Sequence, residues 1–386
     1  MNDLEEYRRR IDAIDAQLVQ LFLRRMEVTW KVGEYKKANG LPVLDSGREK
    51  EVIAAKTALT GDPARKADVA ALYESIMAIS RRQQRKLVRE EGEGQWQRLL
   101  SAVREPVSAP RVVYQGEPGA YSEEAAMGFF GEAVNARGLP WFDDVFAALA
   151  EGEADYAVLP IENSSTGSIR QVYDLLARYD FSLVGEWQGK IEHCLAVLPG
   201  VSMEDIKTVY SHEQGLMQCD RFLSGHRNWK QVPVLDTAGS ARQVKETGDK
   251  EGAAICSKGA AKRYGLVVLT EAINHNVANV TRFVVVSAAP ELRPGRDKIA
   301  AALSIPHQAG SLHEILTVFA VNGLNLQKLE SRPISGRDWE YLFFLEFTGD
   351  ITAPGMDAVL RELDQLSAEL RILGNFRSFG GGIQHA

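Results

Sequence analysis

The sequence predicts a multidomain protein with an all-α N-terminal region, a central α/β region and a C-terminal α+β unit of the ferredoxin-like kind. Three observations carry this reading. Residues 1–90 show no strand-like alternation and hold proline only at Pro42 and Pro63, where turns between helices are expected. From Arg111 to Ser287, short apolar runs alternate with helical segments, the pattern of an α/β fold with parallel or mixed sheets. Residues 298–377 read strand, helix, strand, strand, helix, strand. At 386 residues the chain also exceeds what one core ordinarily holds.

The first helix is set by apolar residues at Leu4, Tyr7, Ile11, Ile14, Leu18, Leu21, Val28, Val32 and Tyr35, spaced mostly three and four apart. A helix of about 33 residues is near 50 Å long. Two shorter helices of the same chain cannot cover it, so an intertwined helical dimer is expected. A second helix begins after Asp45, where Ser46 and Glu49 have capping-box spacing, and a third runs from about Ala67 to Glu90. Residues 91–111 read as a linker with a short helix near Trp96–Val103. Strands are expected at Val112–Tyr114, Tyr156–Leu159, His193–Leu198, Val209–Tyr210, Val232–Leu235, Ala253–Cys256, Leu266–Leu269 and Phe283–Val286. After a second linker at 288–297, the C-terminal helices are expected at Ser311–Val321 and Gly355–Glu369.

Composition narrows the function. With 45% hydrophobic and 25% charged residues the chain is a folded protein. No apolar run approaches the ~18 residues that span a bilayer. The segment Met1–Arg8 lacks the apolar core of a secretory signal, so a cytoplasmic location is expected. Cys194, Cys219 and Cys256 form neither a disulfide framework nor a zinc pattern, and no HxxxH or HExxH occurs, so neither a metal nor a cofactor is expected. A net charge of -7 argues against nucleic acid. Residues 8–37 are an exception, carrying Arg8, Arg9, Arg10, Arg24, Arg25, Lys31, Lys36 and Lys37. This segment is either a solvated face or the site of a small anionic ligand.

The placement of charges favours the ligand. Arg25 occupies a slot of the apolar stripe, and Lys36 lies about 20° around the helix from it and about 16 Å along it. Arg8 is about 25 Å from Arg25, within reach only from a second, antiparallel copy. Ser80 and Gln84 are an i, i+4 pair on the third helix, and Asp45, Arg48 and Glu49 cluster where the second begins. Buried polar groups need partners, which a dicarboxylate with a hydroxyl would supply. These eight positions, Arg8, Arg25, Lys36, Asp45, Arg48, Glu49, Ser80 and Gln84, resemble the all-helical chorismate mutase family. The resemblance implies a Claisen rearrangement of chorismate to prephenate without covalent catalysis. It implies that Arg8 of a second copy, Arg25 and Arg48 bind carboxylates, with Ser80 assisting. Lys36 and Gln84 would donate to the ether oxygen, and Asp45 and Glu49 would hold the ring hydroxyl.

Four loops of the α/β region carry small polar residues between a strand and a helix: Pro160–Gly167, Ser211–Gly215, Asp236–Ser240 and Cys256–Gly259. They are either helix caps or the rim of an anion-binding cleft. Spacing gives no role to Thr281 in Asn279-Val280-Thr281-Arg282-Phe283. Residues 112–287 are similar to prephenate dehydratases in YQGEPGAYSEEAA (114–126), LPIENSSTGSI (159–169), YSHEQGLMQC (210–219), DTAGSA (236–241) and NVTRF (279–283). The resemblance implies two lobes like a periplasmic binding protein, with lobe one at 112–187 and 267–287 and lobe two at 188–266. It implies conversion of prephenate to phenylpyruvate, water and carbon dioxide. Thr281 would assist the departing hydroxyl and Arg282 would bind a carboxylate. Asn163, Ser211 and Gln218 match further site positions, followed by Thr166, Thr237, Ser240 and the Ala120-Tyr121-Ser122 loop.

Residues 298–377 resemble an ACT regulatory domain through Gly310-Ser311-Leu312 and Glu330-Ser331-Arg332-Pro333. The resemblance implies L-phenylalanine as effector, held between such domains in a dimer or tetramer. Taken together, the chain is expected to carry two consecutive steps of phenylalanine synthesis on chorismate and prephenate. Two alternatives are a dehydratase with an inactive helical module and a non-catalytic ligand sensor.

Overall fold

The computed structural model describes residues 3–88, 95–308, 310–334 and 340–379. They form two compact units, one within Met1–Gly94, Gly310–Val318 and Arg361–Leu366, the other within Gln95–Ala309, Phe319–Leu360 and Ser367–Ala386. No helix among the described residues is long and apolar enough to cross a membrane.

The first unit is built on α1 (Asp3–Ala38), α2 (Ser46–Thr57) and α3 (Lys66–Val88). Helix α1 is fully buried only at Met26, Thr29 and Gly33. Leu4, Tyr7, Ile11, Ile14, Leu18 and Leu21, the first half of the expected stripe, are each more than half exposed. Gly33 sets the approach of α1 to α3: a Cβ there would lie 2.9 Å from Leu87 Cδ1 and 3.0 Å from Gln84 Cγ. The expected capping box at Ser46 gives way to a cap by Asp45, whose carboxylate accepts the Arg48 N–H at 2.9 Å. The Ser46 side chain and the end of the third helix at Arg89–Glu90 lie outside the described residues.

The second unit opens with α4 (Gln95–Ser101) in the expected linker. Its first lobe holds β1 (Arg111–Gln115), α5 (Tyr121–Phe130), β2 (Asn135–Leu139), α6 (Phe142–Ala150), β3 (Tyr156–Asn163), β4 (Gly167–Ser168), α7 (Arg170–Arg178) and β5 (Ser182–Lys190). The second lobe holds β6 (Cys194–Val197), β7 (Thr208–His212), α8 (Glu213–Gln218), α9 (Asp220–Leu223), β8 (Lys230–Val234), α10 (Thr237–Thr247), β9 (Gly252–Cys256), α11 (Lys258–Arg263) and β10 (Val267–Thr270). The chain then returns as β11 (Val280–Ser287). The sheets run β2-β1-β3-β11-β5, with β4 on β3, and β10-β6-β9-β7-β8. Strand β11 is antiparallel to both neighbours, between β3 and β5. Tyr156 to Leu159 of β3 are wholly buried, which explains their continuous apolar run.

The lobe boundaries differ from those expected. Strand β5 continues in the first sheet to Lys190, and β10 pairs with β6 in the second. The chain therefore leaves lobe one after Lys190, close to the expected 188, and returns between Thr270 and Val280, later than the expected 267. Strands β2 and β5 were not expected. Strand β2 is an edge with no buried residue, and the run of β5 carries Gly185 and Gly189. Gly185 is required because a Cβ there would meet Phe129 Cε2 at 2.4 Å.

The remaining run is β12 (Lys298–Ser304), α12 (Ser311–Val321), β13 (Leu326–Pro333), β14 (Tyr341–Thr348), α13 (Met356–Leu366) and β15 (Glu369–Phe376). Its antiparallel sheet is ordered β13-β14-β12-β15, the ferredoxin-like arrangement. Helix α13 ends at Leu366, and Glu369 already opens β15, earlier than expected. Strand β15 packs against β5 so closely that a Cβ at Gly374 would lie 1.9 Å from the Leu183 carbonyl oxygen. Because this contact is backbone on backbone, Gly374→Ala is expected to cost about 2–4 kcal/mol. A thermal melt of the full chain checks this; an unchanged melting temperature contradicts it.

Candidate active sites

The first candidate site is a cleft of about 290 Å³ in the helical unit. Seven of the eight residues singled out there line it: Arg25, Lys36, Asp45, Arg48, Glu49, Ser80 and Gln84. The eighth, Arg8, sits exposed toward the far end of α1. Val28, Val32, Val43 and Val52 supply apolar wall. Arg25 donates to Ser80 Oγ at 2.6 Å and lies 3.4 Å from Met77 Sδ, and Ser80 in turn donates to the Ile76 carbonyl. Among the described residues no carboxylate pairs with Arg25, and burial lowers its pKa from the ordinary arginine value. Lys36 Nζ donates to the Val43 carbonyl at 2.6 Å. Gln84 is buried, and its Oε1 finds no partner among the described residues. The lining carries four cationic side chains, counting Arg81, against Asp45 and Glu49. Such a cleft selects a small dianion with neutral polar groups.

Arg81 was not anticipated. It donates to Glu49 Oε2 and to Glu314 Oε1. In the sequence it reads as one of several arginines on a solvated helix face.

The second candidate site is in the α/β unit, where β3 and β11 place Asn163 opposite Thr281. The carboxamide of Asn163 is fixed at both ends. Its Oδ1 accepts from the Ser165 and Thr166 N–H groups at 2.9 and 3.1 Å and from Thr166 Oγ1 at 3.3 Å. Its Nδ2 donates to Thr281 Oγ1 and to Asn279 Oδ1, both at 2.8 Å. Because the backbone donors settle which end is oxygen, the polarity propagates. Asn279 Nδ2 donates to Gln218 Oε1 at 3.2 Å, so the His193 ring nitrogen 2.9 Å from that oxygen, Nε2, must carry the proton. The Thr281 hydroxyl accepts from Asn163, which leaves its own proton to give.

The structure brings Asn163, Thr166, Thr281 and Gln218 into this one network. Ser211 and Ser240 stand apart, both fully buried: Ser211 donates to the Ile255 carbonyl at 2.8 Å and Ser240 to the Thr237 carbonyl at 2.6 Å, which makes them supports for the loops. Thr237 opens α10, where Asp236 caps the Gly239 N–H. Ser257 caps α11 and donates to the Gly119 carbonyl, so the fourth loop is a cap and lobe contact. Tyr121 donates to the Glu192 carbonyl.

Arg282 departs from expectation. Adjacent strand residues face opposite sides, so it points away from Thr281. Its guanidinium meets Glu346 at 2.9 Å, Glu186 at 3.0 Å and Glu162 at 3.3 Å. Burial pulls its pKa down, but Glu346 and Glu186 outweigh that and leave it raised. With these carboxylates around it, Arg282 ties β11 to β14 and is not placed to take a substrate carboxylate.

In the C-terminal run, Gly310 precedes α12 at φ +89°, and Ser311 and Leu312 open that helix. On β13, Glu330 accepts from Ser168 at 2.7 Å and Arg332 pairs with Asp174 at 2.7 Å. Ser331 and Pro333 lie beside them on the same strand.

His193 and Asn279 of the network were not expected as site residues. His193 is an isolated histidine at a strand end, and only the fold links it to Thr281. Its Nδ1 lies 3.3 Å from the Tyr121 hydroxyl, and burial lowers its pKa from the ordinary histidine value.

Comparison with known proteins gives both regions a family. Residues 112–291 match prephenate dehydratase, and residues 7–85 match chorismate mutase type II. A bifunctional chorismate mutase/prephenate dehydratase of Escherichia coli (strain K12) is 33% identical over 387 residues, covering 98% of this chain and 97% of its own. Among solved structures, GqqA, a quorum quenching acylase, is 30% identical with a TM-score of 0.64, over 69% of this chain and 98% of its own. A prephenate dehydratase from Arthrobacter aurescens in complex with L-Phe is 33% identical with a TM-score of 0.62, over 69% of this chain and 89% of its own.

Two predictions follow from this geometry. Gly33→Ala displaces Gln84, so it should lower turnover at the helical cleft at least tenfold (about 1.4 kcal/mol) and leave the α/β site unaffected. Equal loss at both sites would contradict this. The neutral His193 contributes stability in full above the unfolded histidine value of about 6.5, and loses it as the pH falls toward the lowered folded value. The stability gap between the parent chain and His193→Gln should therefore narrow from about pH 7.5 to about pH 5; a constant gap in denaturant titrations would show that the ring does not titrate this way.

Proposed function

The chain belongs to the family of bifunctional chorismate mutase/prephenate dehydratases, and from that premise we propose how its two clefts divide the work. The enzyme converts chorismate to prephenate and prephenate to phenylpyruvate. The observation that carries the division is Arg25, a partly buried cation with no carboxylate partner among the described residues.

In the helical cleft, Arg25 and Arg48 bind the two carboxylates of chorismate, with Ser80 orienting Arg25. Arg8 joins them from a second copy of the chain. The exposed apolar half of α1 supports that pairing, since so long a stripe needs cover. Asp45 and Glu49 accept from the ring hydroxyl. As the ether bond breaks, negative charge builds on its oxygen, where Lys36 and Gln84 donate. Donors fixed beforehand stabilise that charge without reorganising in the transition state. An amide donates at every pH, so the step needs no acid.

In the α/β cleft, Thr281 donates its free proton to the departing ring hydroxyl while the ring carboxylate leaves as carbon dioxide, and solvent returns a proton to the Thr281 oxygen. The electron pair of the breaking C–C bond completes the aromatic ring, and the hydroxyl leaves as water. A threonine is a weak acid, so its effect comes from orientation by Asn163, itself held by Asn279 and Gln218. Thr166 braces Asn163, and the hydroxyl of Thr237, at the start of α10, takes a polar group of the substrate.

L-phenylalanine is the effector of the C-terminal run, through Gly310–Leu312 and Glu330–Pro333. The Arthrobacter aurescens relative solved with L-Phe supports this. The contacts of β13 support it as well: Lys328 meets Glu162 at 2.7 Å and Ser168 at 2.9 Å, beside Asn163.

Separate substitutions test the division. Thr281→Ala should lower phenylpyruvate formation by about 10²-fold or more and leave chorismate turnover intact. Arg25→Ala should lower chorismate turnover by about 10²–10³-fold and leave prephenate turnover intact. Two-substrate assays on each full-length variant decide it; a substitution that removes both activities, or neither, contradicts the assignment.

A further inference from the structure

Glu49 presents a problem that the mutase reading leaves open. A carboxylate that accepts from the ring hydroxyl stands beside a substrate carrying two negative charges. Unless something offsets it, Glu49 repels what it must orient. Arg81, one residue beyond Ser80 on α3, faces this cleft. Its Nη1 donates to Glu49 Oε2 and its Nη2 to Glu314 Oε1, and Arg85 reaches the other oxygen of Glu314 at 3.3 Å. The Arg81 side chain is only 12% exposed, against 69% for Arg48 on the same cleft. Its guanidinium is therefore clamped between two carboxylates, both inside the helical unit.

We propose that Arg81 is a positioning residue of the mutase site: it neutralises and orients Glu49, and Glu314 at the start of α12 is its second anchor. This rests on the assignment of Glu49 to the ring hydroxyl. The hydroxyl takes no part in the bonds that form or break. Its contact with Glu49 is the same before and during the reaction, so disturbing it changes KM more than kcat. The pairing also makes the first turn of α12 a support of the mutase cleft.

Steady-state kinetics with chorismate on the full-length chain test this, with dehydratase turnover in the same preparations as the check on folding. Arg81→Gln should raise KM about tenfold with kcat within about threefold, and Arg81→Lys should recover part of that loss. Glu314→Gln should raise KM about threefold, and the Arg81→Gln/Glu314→Gln double variant should be no worse than Arg81→Gln alone. Glu49→Gln should raise KM as Arg81→Gln does. If Glu49→Gln raises KM and Arg81→Gln does not, the inference fails and the reading of Glu49 stands. If Glu49→Gln leaves KM unchanged, both fall. Additive effects in the double variant overturn the role of Glu314.

Discussion

The guanidinium of Arg25 lies between α1 and α3 with a hydroxyl and a thioether around it and no carboxylate paired to it among the described residues. Partly burying a cation in this way costs free energy that no carboxylate among the described residues offsets. Helix packing keeps the arrangement: the bare Cα of Gly33 lets α3 come close enough for Ser80 and Gln84 to meet the opposite helix. The unmet demand of the helical cleft, a cation with no carboxylate paired to it among the described residues, is what an anionic ligand satisfies.

The α/β cleft treats its polar groups in the opposite way. Asn163 spends its carboxamide on backbone and side-chain partners, and Asn279, Gln218 and His193 continue the chain until every orientation is fixed. The Thr281 hydroxyl, which accepts from Asn163, keeps its own proton to give. A site that speeds a rearrangement needs donors where charge develops, whereas a site that expels a hydroxyl needs one donor aimed at one atom. The same rule, that buried polar groups must be paired, yields both.

The long α1 was legible because its apolar residues keep helical spacing, and Arg25 and Lys36 stand out as charges on that helix; the full set of seven cleft residues came only with the resemblance to chorismate mutases. The β-α-β-β-α-β run was legible for the same kind of reason. Strands β2 and β5 were not: the former is a polar edge, and the latter carries glycines where Phe129 needs room. Lobe boundaries set by pairing partners, such as β10 on β6, leave no mark in a single sequence. Arg282 shows a signal that was present and unused, since strand alternation already turns it away from Thr281. His193 and Arg81 acquire their neighbours only through long-range contacts, so no local pattern distinguishes them from an ordinary buried histidine and a surface arginine.

The most direct measurement follows chorismate by proton NMR in the presence of the purified, unmodified chain. Prephenate signals should rise first and then fall as phenylpyruvate accumulates, with no other additive required. Chorismate that persists unchanged, or prephenate that accumulates without aromatising, would contradict an enzyme with two working clefts.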